Sequence, residues 1–233
     1  MQKKYKGIIL FTKITKENDL YIKFLSNTDE IISGIVYGGQ SKKKKNIFQI
    51  GFFLNFNVTH NQNKPAIING ELSAPLISSI IDDKYKVNCL LASISLINLS
   101  IIDGQIVKNI FNLYYDLIDI LNKRKKWIVF FCLFLFNLLK IIGYEIDYNK
   151  YKYYKYFNLE TLEFSNIKNE NCIYFPHDLL DKDKKFKYKL LINVFQIFET
   201  IFKNYHLSSI NLHLPNHYLL FKKLIIDQVN TYE

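Results

Sequence analysis

Over residues 1–74 the apolar positions recur with the two-residue period of half-buried strands. Ile8–Thr12 is an apolar strand core, and Leu20, Ile22 and Phe24 alternate with Tyr21, Lys23 and Leu25. Glu30–Tyr37 follows a polar turn at Ser26–Asp29, Phe48–Thr59 is rich in β-branched and aromatic residues, and Ala66–Leu72 comes after Lys64-Pro65. Five strands at this spacing, with glycines at 7, 34, 38, 39, 51 and 70 to allow bulges and tight bends, predict a small closed barrel. The long third-to-fourth connection carries Gly38-Gly39-Gln40-Ser41 and then Lys42, Lys43, Lys44 and Lys45.

From about Ala74 the period lengthens. Val87–Leu99 is apolar with small polar interruptions, and Ile106–Leu121 places Ile110, Leu113, Leu117 and Leu121 on one helical face. Trp127–Ile142 is a third helix, stopped by Gly143 in the position of a left-handed cap. Tyr148–Phe157 is low in complexity and 158–187 is polar, so 148–187 reads as a mostly irregular insert. Leu190–Tyr205 and Pro215–Val229 are predicted closing helices. The expectation is an α+β chain, with a five-stranded barrel over 1–74 followed by an all-α domain over 75–233 that contains the insert.

Trp127–Ile142 (WIVFFCLFLFNLLKII) also raises a membrane reading, because basic residues precede it. Its sixteen residues include Asn137 and Lys140 and fall short of the roughly 20 apolar residues that a span requires. A helix of this length that is apolar nearly all round is expected at the centre of a globular domain, without membrane contact.

Charge adds localisation. The net charge is +10, but thirty lysines against one arginine, Arg124, and only three alanines suggest AT-rich coding, which weakens the sum as an argument. Residues 1–74 hold eleven lysines against five acidic residues, and 123–156 hold eight basic against two acidic. Between them, 75–122 is slightly acidic. Two basic blocks imply local anion-binding surfaces. In the barrel, Lys4, Lys13, Lys16, Lys23 and Lys42–Lys45, with Tyr5, Tyr21 and Tyr37 near them in sequence, are candidates for phosphates and base stacking on a single strand. The bland alternative is a solvated loop beside half-buried strand tyrosines.

No catalytic constellation emerges. Cys89, Cys132 and Cys172 share no zinc-knuckle or disulfide spacing and are expected to be buried thiols in a reducing cytoplasm. His213 and His217 are four apart but separated by Pro215 and lack a third ligand. The Glu17/Asp19 and Asp82/Asp83 pairs suit turns and caps, and Gly38-Gly39 lacks phosphate-loop spacing. The N-terminus shows no secretion signal. No cofactor, metal or enzymatic activity is expected.

Gly7-Ile8-Ile9-Leu10, Glu17-Asn18-Asp19-Leu20 and Ser33-Gly34-Ile35-Val36-Tyr37-Gly38-Gly39-Gln40-Ser41-Lys42 together resemble the N-terminal signature of the RecO family of recombination mediators. Phe48-Gln49-Ile50 stands where the family has Leu-Gln-Pro. Phe134 and Leu138–Tyr144 resemble its central helix, which ends in Leu-Gly-Tyr, and Leu207-Ser208-Ser209 matches more loosely. The chain departs from the family at Ile50, where proline is absent, and at Leu133-Phe134-Leu135, in place of Arg-Phe-Glu. Many relatives carry a four-cysteine zinc site after the Gly-Tyr segment; here Tyr148–Phe157 has no cysteine and Cys172 stands alone, so no zinc is expected. The resemblance implies an OB-fold barrel and then a helical domain. It also implies binding of single- and double-stranded DNA, annealing, and loading of RecA together with RecR. The acidic tail of single-stranded DNA-binding protein docks on the helical domain of family members, and Lys123, Arg124, Lys125, Lys126 and Trp127 are the expected place for it here. The resemblance places the protein in the cytoplasm, at the nucleoid. A generic OB-fold module for RNA or single-stranded DNA, and a membrane-associated structural protein held by 127–142, are the rival readings.

Overall fold

The first strand, β1 (Gln2–Ile14), is long enough to serve two neighbours. Its first half, Gln2–Ile8, pairs antiparallel with β4 (Phe53–Asn61), and Gly7–Ile14 pairs antiparallel with β2 (Leu20–Ser26). A register shift between Ile9 and Phe11 marks a bulge, which bends a strand and raises its twist. β2 pairs with β3 (Ile31–Val36), β3 lies parallel to β5 (Lys64–Leu72), and β5 is antiparallel to β4. The result is a closed barrel in the order β1-β2-β3-β5-β4, the OB architecture expected from the sequence. The computed structural model describes residues 2–15, 18–61, 64–73, 75–123, 127–180, 189–208 and 211–231.

Strand alternation fills the barrel. Ile9, Ile22, Phe24, Ile32, Leu54, Phe56, Val58 and Ile68 meet inside, joined by Phe48 from the β3–β4 connection. Phe24 and Phe56 stack with centroids 3.9 Å apart, each ring burial stabilising by roughly 1.5–3 kcal/mol. The seam closes where Gly34 pairs with Ala66 in the parallel β3–β5 ladder. A Cβ on Gly34 would lie 2.4 Å from the Ala66 carbonyl oxygen, so only glycine lets the strands approach.

Ile8, Leu10, Leu25, Ile31 and Phe53 are buried too, although several point away from the barrel interior. α1 (Lys84–Ser100) packs against β1, and Tyr115 of α2 (Ile110–Lys123) meets the Phe53 ring edge-on at 5.8 Å. The compact unit built on the barrel therefore runs through α2, as Met1–Lys123; Arg124–Glu233 forms a second. Asp83 caps α1, its carboxylate accepting from the Tyr85 and Lys86 N–H groups.

α2 begins at Ile110 rather than at Ile106, as its periodicity suggests. Ile106 bridges to Glu30, and Asn109 adopts a positive φ of 68°. The cap comes from the β2–β3 turn. There the Asp29 carboxylate accepts from the Asn109 and Phe111 N–H groups at 2.9 and 3.0 Å, while its carbonyl accepts from Val107 N–H. Asp29→Ala is expected to cost about 1–2 kcal/mol. Denaturant unfolding should show a lowered midpoint at unchanged slope; an unmoved midpoint would mean the cap is dispensable.

In the second unit α3 (Trp127–Ile141) is a core helix whose Phe131, Cys132, Leu135, Leu138 and Leu139 are fully buried. It ends as the sequence predicts. Gly143 sits at φ 99°, and the Tyr144 and Gly143 N–H groups donate to the Leu139 and Lys140 carbonyls in a Schellman arrangement. Among the described residues no helix is long and apolar enough to cross a membrane.

The segment expected to be a mostly irregular insert holds more order than that, and the helical half is not purely α. β6 (Tyr156–Asn158), β7 (Phe164–Ser165) and β8 (Cys172–Tyr174) form a sheet in the order β7-β6-β8, followed by the short α4 (His177–Leu180). Phe157, Phe164 and Phe175 hold it together with centroids 4.9–5.8 Å apart. Strands of two or three residues are too short to display alternation, so the pattern could not reveal them. Residues 181–188 lie outside the described residues. α5 (Lys189–Ile201) runs on as a π-helical stretch, Phe202–Leu207, and α6 (Asn216–Thr231) closes the unit. Glu199 of α5 accepts from Lys222 Nζ at 2.7 Å and from Tyr218 Oη at 3.2 Å. Burial, reinforced by Glu199, pushes the Tyr218 phenol well above its ordinary value and keeps it a donor.

Candidate nucleic-acid interface

Because Ile22 and Phe24 point into the barrel, Tyr21 and Lys23 point out of it. Cross-strand register then builds two rows on the outer face of β1, β2 and β3. Lys13 lies opposite Tyr21, which lies opposite Ile35; Phe11 lies opposite Lys23, which lies opposite Ser33. The Phe11 and Tyr21 rings meet edge-on at 6.4 Å, both half-buried, and Lys13 is exposed beside them. Lys23 is bound to Asp103 at 2.8 Å, so its charge is compensated; among the described residues Lys13 is in no ion pair.

The β1–β2 turn and the β3–β4 connection are tied together at one end of this face. The Asp19 carboxylate accepts from the Gly38 N–H at 2.6 Å, and the Asn18 carbonyl accepts from the Gln40 N–H. Two segments that carried the family resemblance thus meet in space. Beyond them, Ser41–Phe48 winds through consecutive turns. Lys45 N–H donates to the Ser41 carbonyl and Phe48 N–H to the Lys44 carbonyl, while buried Phe48 pins the far end. Lys42, Lys43 and Lys45 project into solvent, whereas Lys44 Nζ donates to the Tyr37 carbonyl at 2.7 Å. Tyr37 is 56% exposed.

The structure brings some predicted residues together and separates others. Lys13 stands one rung from Ile14–Leu20–Val36, so it shares an end of the barrel with Tyr37 and the lysine turn. Lys4 stands apart, nine residues earlier on β1, up to roughly 30 Å along an extended strand. It pairs with Asn57 and lines a separate groove with Lys6, Asn27, Asn55 and Glu71. Lys16 lies outside the described residues. Phe11 was missed because a continuous apolar run, Ile8–Thr12, does not say which residues face out; the spacing of Phe11 to Lys13 was the available signal.

In sequence, Lys123 at the end of the first unit and Trp127 in the second flank Arg124, Lys125 and Lys126, which lie outside the described residues. Lys123, exposed, pairs with Asp119 one helical turn back. Trp127 is only 7% exposed and packs against Phe221, so it offers no open ring to a partner. The three cysteines are buried, and burial pushes the Cys132 thiol far above its ordinary value, which makes it inert. Among the described residues no three His, Cys, Asp or Glu side chains come together as a metal site. The arrangement therefore offers binding surface: exposed cations beside aromatic faces.

No protein-family model matches the chain. It is similar to the DNA repair protein RecO of Mycoplasma mycoides subsp. mycoides SC, with 31% identity over 156 residues, or 64% of this chain. The match spans 62% of that protein, somewhat under two thirds of its length. This relative bears out the resemblance to the RecO family read from the N-terminal motifs.

Proposed function

We propose that the chain is a RecO-type mediator of DNA repair and recombination, a binding protein rather than an enzyme. In this reading it binds single- and double-stranded DNA and anneals complementary strands. With RecR it helps load RecA onto DNA coated with single-stranded DNA-binding protein, and it works in the cytoplasm, at the nucleoid. The observation that supports it most is the outer barrel face, where Phe11 and Tyr21 meet beside exposed Lys13, toward the end of the barrel that carries the Lys42–Lys45 turn. Single strands are held by such a combination: cations follow the phosphates, and ring faces stack on bases. The acidic tail of single-stranded DNA-binding protein is assigned to the basic stretch Lys123–Lys126, without Trp127 as an anchor.

Annealing of complementary strands coated with single-stranded DNA-binding protein tests the reading directly. Acceleration that drops when the coating protein lacks its acidic tail is the expected result, and no acceleration with either form overturns it. Competition between DNA and RNA oligomers separates a mediator from a generic RNA module. Tyr21→Ala should weaken single-strand binding about ten-fold, near the low end of the 1–3 kcal/mol seen per stacked base because the ring is already half-covered. Fluorescence anisotropy against Tyr5→Ala, whose ring packs inward against Phe24, checks it. Equal losses in the two variants would point to barrel packing instead.

A further inference from the structure

Residues 148–157 (YNKYKYYKYF) hold five tyrosines and three lysines without an acidic side chain. The fold sorts them into an anchored set and an outward set. Tyr151 stacks on Phe164 at 5.0 Å and Tyr148 on Phe175 at 6.2 Å, so two rings fasten the segment to the aromatic cluster of the small sheet. Tyr153 is 90% exposed, with Lys150, Lys152 and Lys155 exposed beside it, and Tyr154, edge-on to Tyr151 at 5.5 Å, leaves 37% of its surface open. On the adjoining sheet Tyr174, opposite Tyr156 and edge-on to it at 6.4 Å, is exposed as well.

Lys23, Lys123, Lys140, Lys203 and Lys222 sit in ion pairs, whereas among the described residues Lys150, Lys152 and Lys155 do not. Lys150 Nζ lies over the Tyr151 ring, 5.4 Å from its centroid, while the charges of Lys152 and Lys155 are left to mobile counterions, which a polyanion can displace. AT-rich coding supplies tyrosines and lysines as types; it does not supply an anchored backbone that leaves Tyr153 open beside exposed lysines outside any ion pair among the described residues. An anionic membrane also attracts lysines, and phenol rings suit its interface, but insertion needs an apolar wedge, and YNKYKYYKYF contains no aliphatic side chain to form one.

We propose that Tyr153, Tyr154 and Tyr174, with Lys150, Lys152 and Lys155, form a second contact site for single-stranded nucleic acid, in the Arg124–Glu233 unit. The proposal rests on the single-strand reading of the barrel unit and adds a site to it. The full-length chain is titrated with a labelled oligo-dT across salt concentrations. Joint replacement of Lys150, Lys152 and Lys155 by alanine lowers the log–log salt slope by about 2, three phosphates at roughly 0.7 each. Tyr153→Ala weakens binding about five-fold at every salt concentration. Tyr153→Trp keeps the affinity, and its fluorescence is quenched by oligo-dT over the constant background of buried Trp127.

If the unaltered chain binds oligo-dT while the triple variant keeps both affinity and slope, this site is overturned and the mediator reading stands. If the unaltered chain does not bind oligo-dT, both fall. Loss of binding to phosphatidylglycerol vesicles at unchanged oligonucleotide affinity would make the patch a membrane surface and overturn the proposal.

Discussion

Alanine at Lys42, Lys43, Lys44 and Lys45 together is expected to flatten the salt dependence of single-strand binding by about 2 in log–log slope. Each phosphate neutralised on a single strand contributes about 0.7 to that slope, so four free lysines would give nearly 3. The structure reduces the number, because Lys44 is engaged with the Tyr37 carbonyl and only Lys42, Lys43 and Lys45 are free to reach phosphates. A slope change near 2 is worth more than ten-fold in affinity between 50 and 200 mM salt by the same relation. Binding isotherms at four or five salt concentrations measure it. A slope indistinguishable from that of the unaltered chain would remove this turn from the interface. Lys44→Ala alone should do something different: it releases the Tyr37 tether and leaves the slope nearly in place.

Gly34→Ala is expected to be the most damaging single methyl in the barrel. The new Cβ would meet the Ala66 carbonyl oxygen at 2.4 Å and Ile68 Cδ1 at 2.9 Å. A backbone oxygen cannot swing aside like a side-chain tip, so the β3–β5 seam must open. The cost is about 3 kcal/mol, at the upper end of ordinary overpacking. For a chain of this size that is a fall of about 6–12 °C in Tm, read by calorimetry or circular dichroism. Gly104→Ala is the control, since a Cβ there meets nothing within 4 Å and suffers only from its positive φ of 81°. Equal losses for the two would show that seam closure is not what Gly34 provides.

Much of this was legible in the chain. Alternation in Leu20–Leu25 and the β-branched, aromatic run ending at Thr59 announced strands because each buries one face, and one face is a local property. Gly143 announced a helix end because only φ matters there. The start of α2 was misread by four residues because its cap lies eighty residues upstream, in Asp29. The short strands β6–β8 escaped because neither two nor three residues make a period.

The candidate site divides in the same way. Its residue types, lysines and tyrosines in basic blocks, could be read in order along the chain, and so could the ordered motifs that resemble RecO. Which of them share a surface could not. Lys4 and Lys13 belong to one strand, yet a bent β1 gives them to different neighbours, Asn57 on β4 and Tyr21 on β2. Trp127, the natural anchor by composition, turns into the core against Phe221, while Phe11, hidden in an apolar run, turns out beside Tyr21. By itself the sequence determined the barrel, the helices and the chemical kit, because periodicity and cap residues act over a few positions. Only the tertiary structure decided which cations stand beside open rings, because strand register and helix packing join residues far apart in the chain.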